Sequence, residues 1–133
     1  MKGLICDQFQ KTVGDSLIRN NDLLDILSKL QQTNSKTNRA VIKSITSCGC
    51  VNLSFDNSEN KHDNDENYDE LKTQHINTVS GELCQTCKEK VESEIGNQLF
   101  YIAALCNNFD LDMFDVIIKE YNRLNTLGKY NLY

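Results

Sequence analysis

The 133-residue sequence predicts an all-α fold, an antiparallel helical bundle with a four-cysteine metal clamp between two helix ends. Three observations carry that expectation. Apolar residues recur at helical spacing over long stretches, proline is absent, and two close cysteine pairs, Cys48-Gly49-Cys50 and Cys84-Gln85-Thr86-Cys87, each lie at the end of such a stretch. A chain of this size buries roughly two thirds of its unfolded surface, enough for one domain spanning 1–133 with an ordinary core, so a metal would add to stability without being its sole source.

The opening residues are weakly patterned, and a short helix is expected only over 11–20. From Asp22 to about Thr46 the spacing predicts one long helix: Asp22 can cap it, and Leu23, Ile26, Leu27, Leu30, Val41 and Ile45 supply the apolar stripe. The stripe lapses between Leu30 and Ala40, where the sequence is QQTNSKTNR. Gly49 then ends the helix. Residues 51–55, VNLSF, read as a short strand with no evident partner, and 56–70 as a solvated acidic loop. A second long helix is expected from Glu82, started by Ser80 or Gly81, with Val91, Ile95, Leu99, Ile102 and Cys106 on one stripe and Phe100 and Ala103 widening it. Asn107-Asn108 interrupts the pattern. Asp110 or Asp112 then caps a third helix bearing Met113, Val116, Ile117, Tyr121 and Leu124, which Gly128 ends.

The net charge of -5 is unevenly held. Residues 56–70 carry seven acids and one lysine, so the remainder of the chain is close to neutral. No basic stripe with interleaved aromatics appears, which argues against nucleic-acid binding through phosphates. The N-terminal MKGLICDQFQ has only a three-residue apolar run, and nothing later approaches a membrane span, so a cytoplasmic protein with no membrane partner is expected.

In a reducing compartment six cysteines point to metal or redox chemistry before disulfides. Cys48, Cys50, Cys84 and Cys87 suit one zinc ion, because ligands two or three positions apart let a single turn deliver two sulfurs to a tetrahedral centre. Four thiolates with no open position make such a site structural. Two other readings remain: CQTC as a redox motif, which normally follows a strand in a βαβ unit, and four ordinary buried thiols. Cys106 falls on an apolar stripe and belongs in the core, while Cys6 has no assigned role. His62 and His75 are alternative ligands in type only.

The segment EIGNQLFYIAALCNNFDLDMFDVIIKEYNRLNTLGKY, residues 94–130, resembles the second half of the MazG-like all-alpha nucleoside triphosphate pyrophosphohydrolases. There an E-x-x-D motif opens a helix of this kind, followed by an apolar run, a short break and a last helix. The resemblance implies a MazG-like bundle, assembly as a dimer or tetramer, and a carboxylate cluster in which E-E-x-x-E faces E-x-x-D across magnesium ions. In this chain Gln31, Gln32 and Ser35 fall where the three glutamates belong, and Glu94 with Asn97 stands for E-x-x-D. The implied site is therefore degenerate. Neutral amides and a hydroxyl can hydrogen-bond a nucleotide or protein but cannot hold a magnesium pair. An active enzyme would need Glu94 together with Glu92, Asp112 and Asp115, and magnesium with them. Asn125 and Lys129 lie roughly where the family places substrate-contacting residues.

Overall fold

A computed structural model describes residues 2–17, 22–54 and 78–127. Four helices dominate these residues: α1 (Lys2–Ser16), α2 (Leu23–Lys43), α3 (Gln85–Asn108) and α4 (Met113–Leu127). A single π-turn, Ser44–Cys48, extends α2. Two short strands, β1 (Val51–Ser54) and β2 (Thr78–Gly81), pair antiparallel with Val51 opposite Gly81 and Leu53 opposite Val79. The chain is thus mostly helical, as expected, but it is not purely so: the strand expected over 51–55 does have a partner. That partner occupies the positions assigned above to the start of the second helix. The acidic stretch, His62, His75, Gly128 and Lys129 lie outside the described residues.

The residues group into two compact units, 1–36 with 93–133, and 37–92. In the first unit α1 starts nine residues earlier than the spacing suggested. Cys6, Phe9, Val13 and Leu17 recur every three or four residues along it, and all join the core. Val13, Ile26, Ala103, Ala104, Cys106 and Met113 are the buried heart of this unit, with Phe100 and Leu105 packed against them. Cys106 is therefore a core residue, and Cys6 lies against the core. Burial raises the thiol pKa of both, Cys6 also feeling Asp7.

Asp22 caps α2 through a bond from Leu24 N–H to its carboxylate (3.1 Å). Asp112 does the same for α4, accepting from Phe114 N–H (2.9 Å) and Asp115 N–H (3.4 Å), so the capping expected of Asp110 or Asp112 falls to Asp112. Asp110 instead makes the turn between α3 and α4, in the left-handed region at φ 53°.

Gln10 of α1 fastens that turn. Its amide nitrogen donates to Asn107 Oδ1 (2.9 Å) and the Leu111 carbonyl (2.7 Å), while its amide oxygen accepts from Met113 N–H (2.9 Å). Asn107 returns a bond to the Gln10 carbonyl (3.0 Å). One side chain thereby satisfies an orphan amide at the start of α4 and ties α1 to the end of α3. Gly3 allows α1 to approach α4, since a Cβ there would sit 3.1 Å from the Phe114 ring.

The interface side of α3 is the expected one only toward its C-terminal half. Ala103, Ala104 and Cys106 are buried, whereas Ile95, Leu99 and Ile102 are 44%, 41% and 38% exposed. Small side chains let helices approach closely, and the neighbours of α3 sit on that small-residue side. Gln10→Ala removes three bonds at one position, and a loss of about 2 kcal/mol is expected, read as a Tm lower by several degrees in thermal denaturation.

Candidate metal centre

The second unit positions four thiols by breaking regular structure at each end. At the end of α2 the backbone winds one residue wider, as a π-turn. Ser44, fully buried, donates its hydroxyl to the Val41 carbonyl (2.5 Å). Gly49 follows at φ 76°, a left-handed cap that turns the chain so that Cys48 and Cys50 flank it. Cys50 Sγ lies 3.6 Å from the Ser44 carbonyl. The β1–β2 pairing then brings the second half-site alongside. Gly81, opposite Val51 at φ 82°, has no room for a side chain: a Cβ would meet the Cys50 carbonyl oxygen at 2.5 Å.

Cys84 and Cys87 lie at the start of α3, where Cys87 N–H points at Cys84 Sγ (3.5 Å). Cys84 and Cys48 sulfurs are 3.8 Å apart, and all four sulfurs lie within 4.8 Å of one another. Zinc bonded to four sulfurs at about 2.3 Å spans a tetrahedron with edges of about 3.8 Å. The Cys48–Cys84 pair already has that edge, and no sulfur of the four lies more than 4.8 Å from another. Cys48 is exposed and the other three are half-buried.

Packing thiols this closely splits their proton affinities. Cys84 is lowered to about 7, chiefly by the Cys87 backbone N–H at the helix start and then by the Cys87 thiol. Cys87 is pushed up to about 12 because it donates to the Cys84 sulfur, with desolvation adding to the effect. Cys48 is raised, first by its contact with Cys84. Cys84 ionises near neutral pH while Cys48 and Cys87 keep their protons. Among the described residues this is the set of His, Cys, Asp and Glu side chains gathered closely enough to hold an ion. The fold and site together define a mostly helical protein with a four-cysteine centre that could hold a metal ion. No family model, curated protein or solved structure matches the chain.

The other candidate residues lie in the first unit, apart from Glu92. Gln31, Gln32 and Ser35 are exposed on α2, Asn97 is exposed on α3, and Glu94 is 4% exposed. Gln31 lines an open groove with Leu24, Leu27, Asn34, Gln98 and Ile102. Across it Gln98 donates to Asn34 Oδ1 (3.2 Å), a pair the sequence reading did not select. The side chain buried at the polar gap is Thr33 (5% exposed), which donates to the Leu30 carbonyl (2.9 Å). It continues the core spacing of Ile26 and Leu30, a signal hidden because threonine reads as polar. Glu92 lies 4.0 Å from Lys88 in an exposed helical pair, and Asp112 and Asp115 belong to the start of α4. Asn125 is exposed.

Two outcomes follow for the centre. Binding zinc at neutral pH must displace protons from Cys48 and Cys87, and below about pH 7 from Cys84 as well. Apparent zinc affinity should therefore fall as pH falls, at least about a hundredfold per unit and more steeply on the acid side, in competition titrations with a chromophoric chelator. Gly81→Ala places a Cβ against the Cys50 carbonyl at positive φ. It should lower stability by roughly 1–3 kcal/mol and weaken zinc binding, measured by thermal denaturation and chelator competition.

Proposed function

We propose that this protein is a zinc-braced helical module, MazG-like in layout, that works by binding a nucleotide or another protein and has lost magnesium catalysis. The observation that carries the zinc brace is the convergence of four sulfurs within 4.8 Å, with one edge at 3.8 Å. Zinc bound there supplies no reactive position. It would cross-link the end of α2 to the start of α3 and stabilise the folded form by mass action.

Support for binding over catalysis comes from Gln31 of the implied family site and from the groove it lines. Gln31 and the Asn34–Gln98 pair offer neutral donors and acceptors, suited to hydrogen-bonding a ligand, while hard oxygen anions are what magnesium needs. The four acids that an active enzyme would draw on are already engaged otherwise or dispersed. Asp112 caps a helix, Glu92 lies beside Lys88, and Asp115 belongs to the first turn of α4. Glu94 is buried.

Elemental analysis of the purified protein should find one zinc per chain, lost in both Cys48→Ser and Cys84→Ser with a fall in Tm. Absence of metal from protein purified and refolded with zinc would remove the brace. The same preparation should release no pyrophosphate from a panel of nucleoside triphosphates with magnesium. Magnesium-dependent release abolished by Glu94→Gln would make the protein an enzyme and overturn the binding role.

A second reading, a zinc- or thiol-responsive sensor, is favoured by the exposure of Cys48, which opens the centre to chelators and oxidants. In a sensor, Cys84→Ser changes partner binding while helix content survives. Global unfolding of that variant would leave only the structural role.

A further inference from the structure

Cys48 and Cys84 come from opposite half-sites, 36 positions apart in sequence, and their sulfurs stand 3.8 Å from each other. Cys48 is the exposed member of the four, and the other three are half-buried. We propose that Cys48 is a peroxide-sensitive modification site: oxidation joins it to Cys84 as a disulfide, which takes over from zinc the task of tying the end of α2 to the start of α3. The inference rests on the four-cysteine brace proposed above and names what an oxidant does to it.

Solvent access decides where the reaction starts. A peroxide arriving from solution meets the Cys48 sulfur first, since that sulfur is exposed where its neighbours are half covered. The Cys48 thiolate attacks one peroxide oxygen, the O–O bond breaks, and the products are the Cys48 sulfenic acid and hydroxide. The Cys84 thiolate then attacks the Cys48 sulfur, forming the S–S bond and expelling a second hydroxide. The two sulfurs together lose two electrons and hydrogen peroxide gains them, so no further reactant is needed. Two of the four ligands are consumed, and the remaining pair cannot complete a tetrahedral zinc site.

Geometry decides which cysteine closes the bond. A disulfide is about 2.05 Å long, so the Cys48 and Cys84 sulfurs have about 1.8 Å to close, a distance that rotation of the exposed Cys48 side chain can supply. Cys50 is a poorer partner although it is nearer in sequence. Its sulfur lies 3.6 Å from the Ser44 carbonyl, and a bond to Cys48 would close a small ring around Gly49, whose backbone is already committed to φ 76°. Cys87 is held within the first turn of α3, whereas Cys84 stands just ahead of the helix and is the less constrained of the two.

Continuity is the consequence. Closing a loop of this length restricts the unfolded chain, so the disulfide stabilises the folded form after the ion has gone. Oxidation therefore releases zinc without opening the centre, exchanging a metal brace for a covalent one, and a thiol reductant restores the first.

The test adds hydrogen peroxide stepwise to the zinc-loaded full chain. Zinc release is followed with a chromophoric chelator, free thiols by titration, and disulfide connectivity by peptide mass spectrometry. About one zinc should be released for each pair of thiols lost. The six free thiols should fall by two, and the mapped bond should join Cys48 to Cys84. A sulfenic-acid trap added with the peroxide should label Cys48. The oxidised chain should melt at least roughly 5 °C above the reduced chain stripped of metal, and dithiothreitol should return both thiols. Any other pairing, a disulfide between chains, a trap found on a different cysteine, or an oxidised chain no more stable than the stripped one would overturn the proposal. If the chain carries no zinc, the same mapping on the metal-free protein still decides the pairing, so failure of the zinc brace and failure of the disulfide are told apart.

Discussion

Four sulfurs lie within 4.8 Å of one another, and the described residues of the second unit, 37–54 and 78–92, are shaped to bring them there. The two half-sites are 33 residues apart in sequence, so neither helix end alone can assemble the centre. Each departure from regular structure nearby serves the meeting: the π-turn that carries Cys48, the left-handed Gly49, the short β1–β2 ladder, and Gly81 under the Cys50 carbonyl. Without an ion the arrangement is electrostatically awkward. Cys84 is held near 7, chiefly by the Cys87 backbone N–H, while Cys87 is driven to about 12, chiefly by its thiol's contact with the Cys84 sulfur. A divalent cation resolves the conflict, because all four sulfurs can then be thiolates at once.

The first unit is held together differently. Its buried side chains are few and several are small, Ala103 and Ala104 among them, so helices approach closely and hydrogen bonds fix their register. The Gln10 carboxamide does this at one end, joining α1, the α3 terminus and the first turn of α4. Thr33 and Glu94 bring polar groups into the interior, where a hydrogen-bonded polar group is worth more for specificity than for net stability.

Much of this was legible in the residues themselves. Asp22 and Asp112 cap helices where short acidic side chains precede apolar periodicity, and the cysteine pairs flagged a four-ligand centre by spacing alone. The second strand escaped because Thr78–Gly81 is too short to show alternation and was absorbed into a helix start. The first nine residues of α1 escaped because its stripe mixes Cys6, Phe9 and Val13 with many polar neighbours. At the polar gap of α2 the sequence drew attention to Gln31, Gln32 and Ser35, whereas burial selects Thr33, whose methyl group packs while its hydroxyl satisfies a local carbonyl.

By itself, then, the sequence determined the three long helical stretches after Asp22, the aspartates that cap two of them, and which four sulfurs could share an ion, because capping, periodicity and ligand spacing act over a few residues. Only the tertiary structure decided which side of α3 is buried, which residue fills the polar gap, and that Gly81 must lack a side chain. Those are questions of distance between segments remote in the chain, and periodicity carries no information about which neighbour a helix face will meet. The four cysteines stand at the boundary of the two: their chemistry is written locally, and their meeting is a property of the fold.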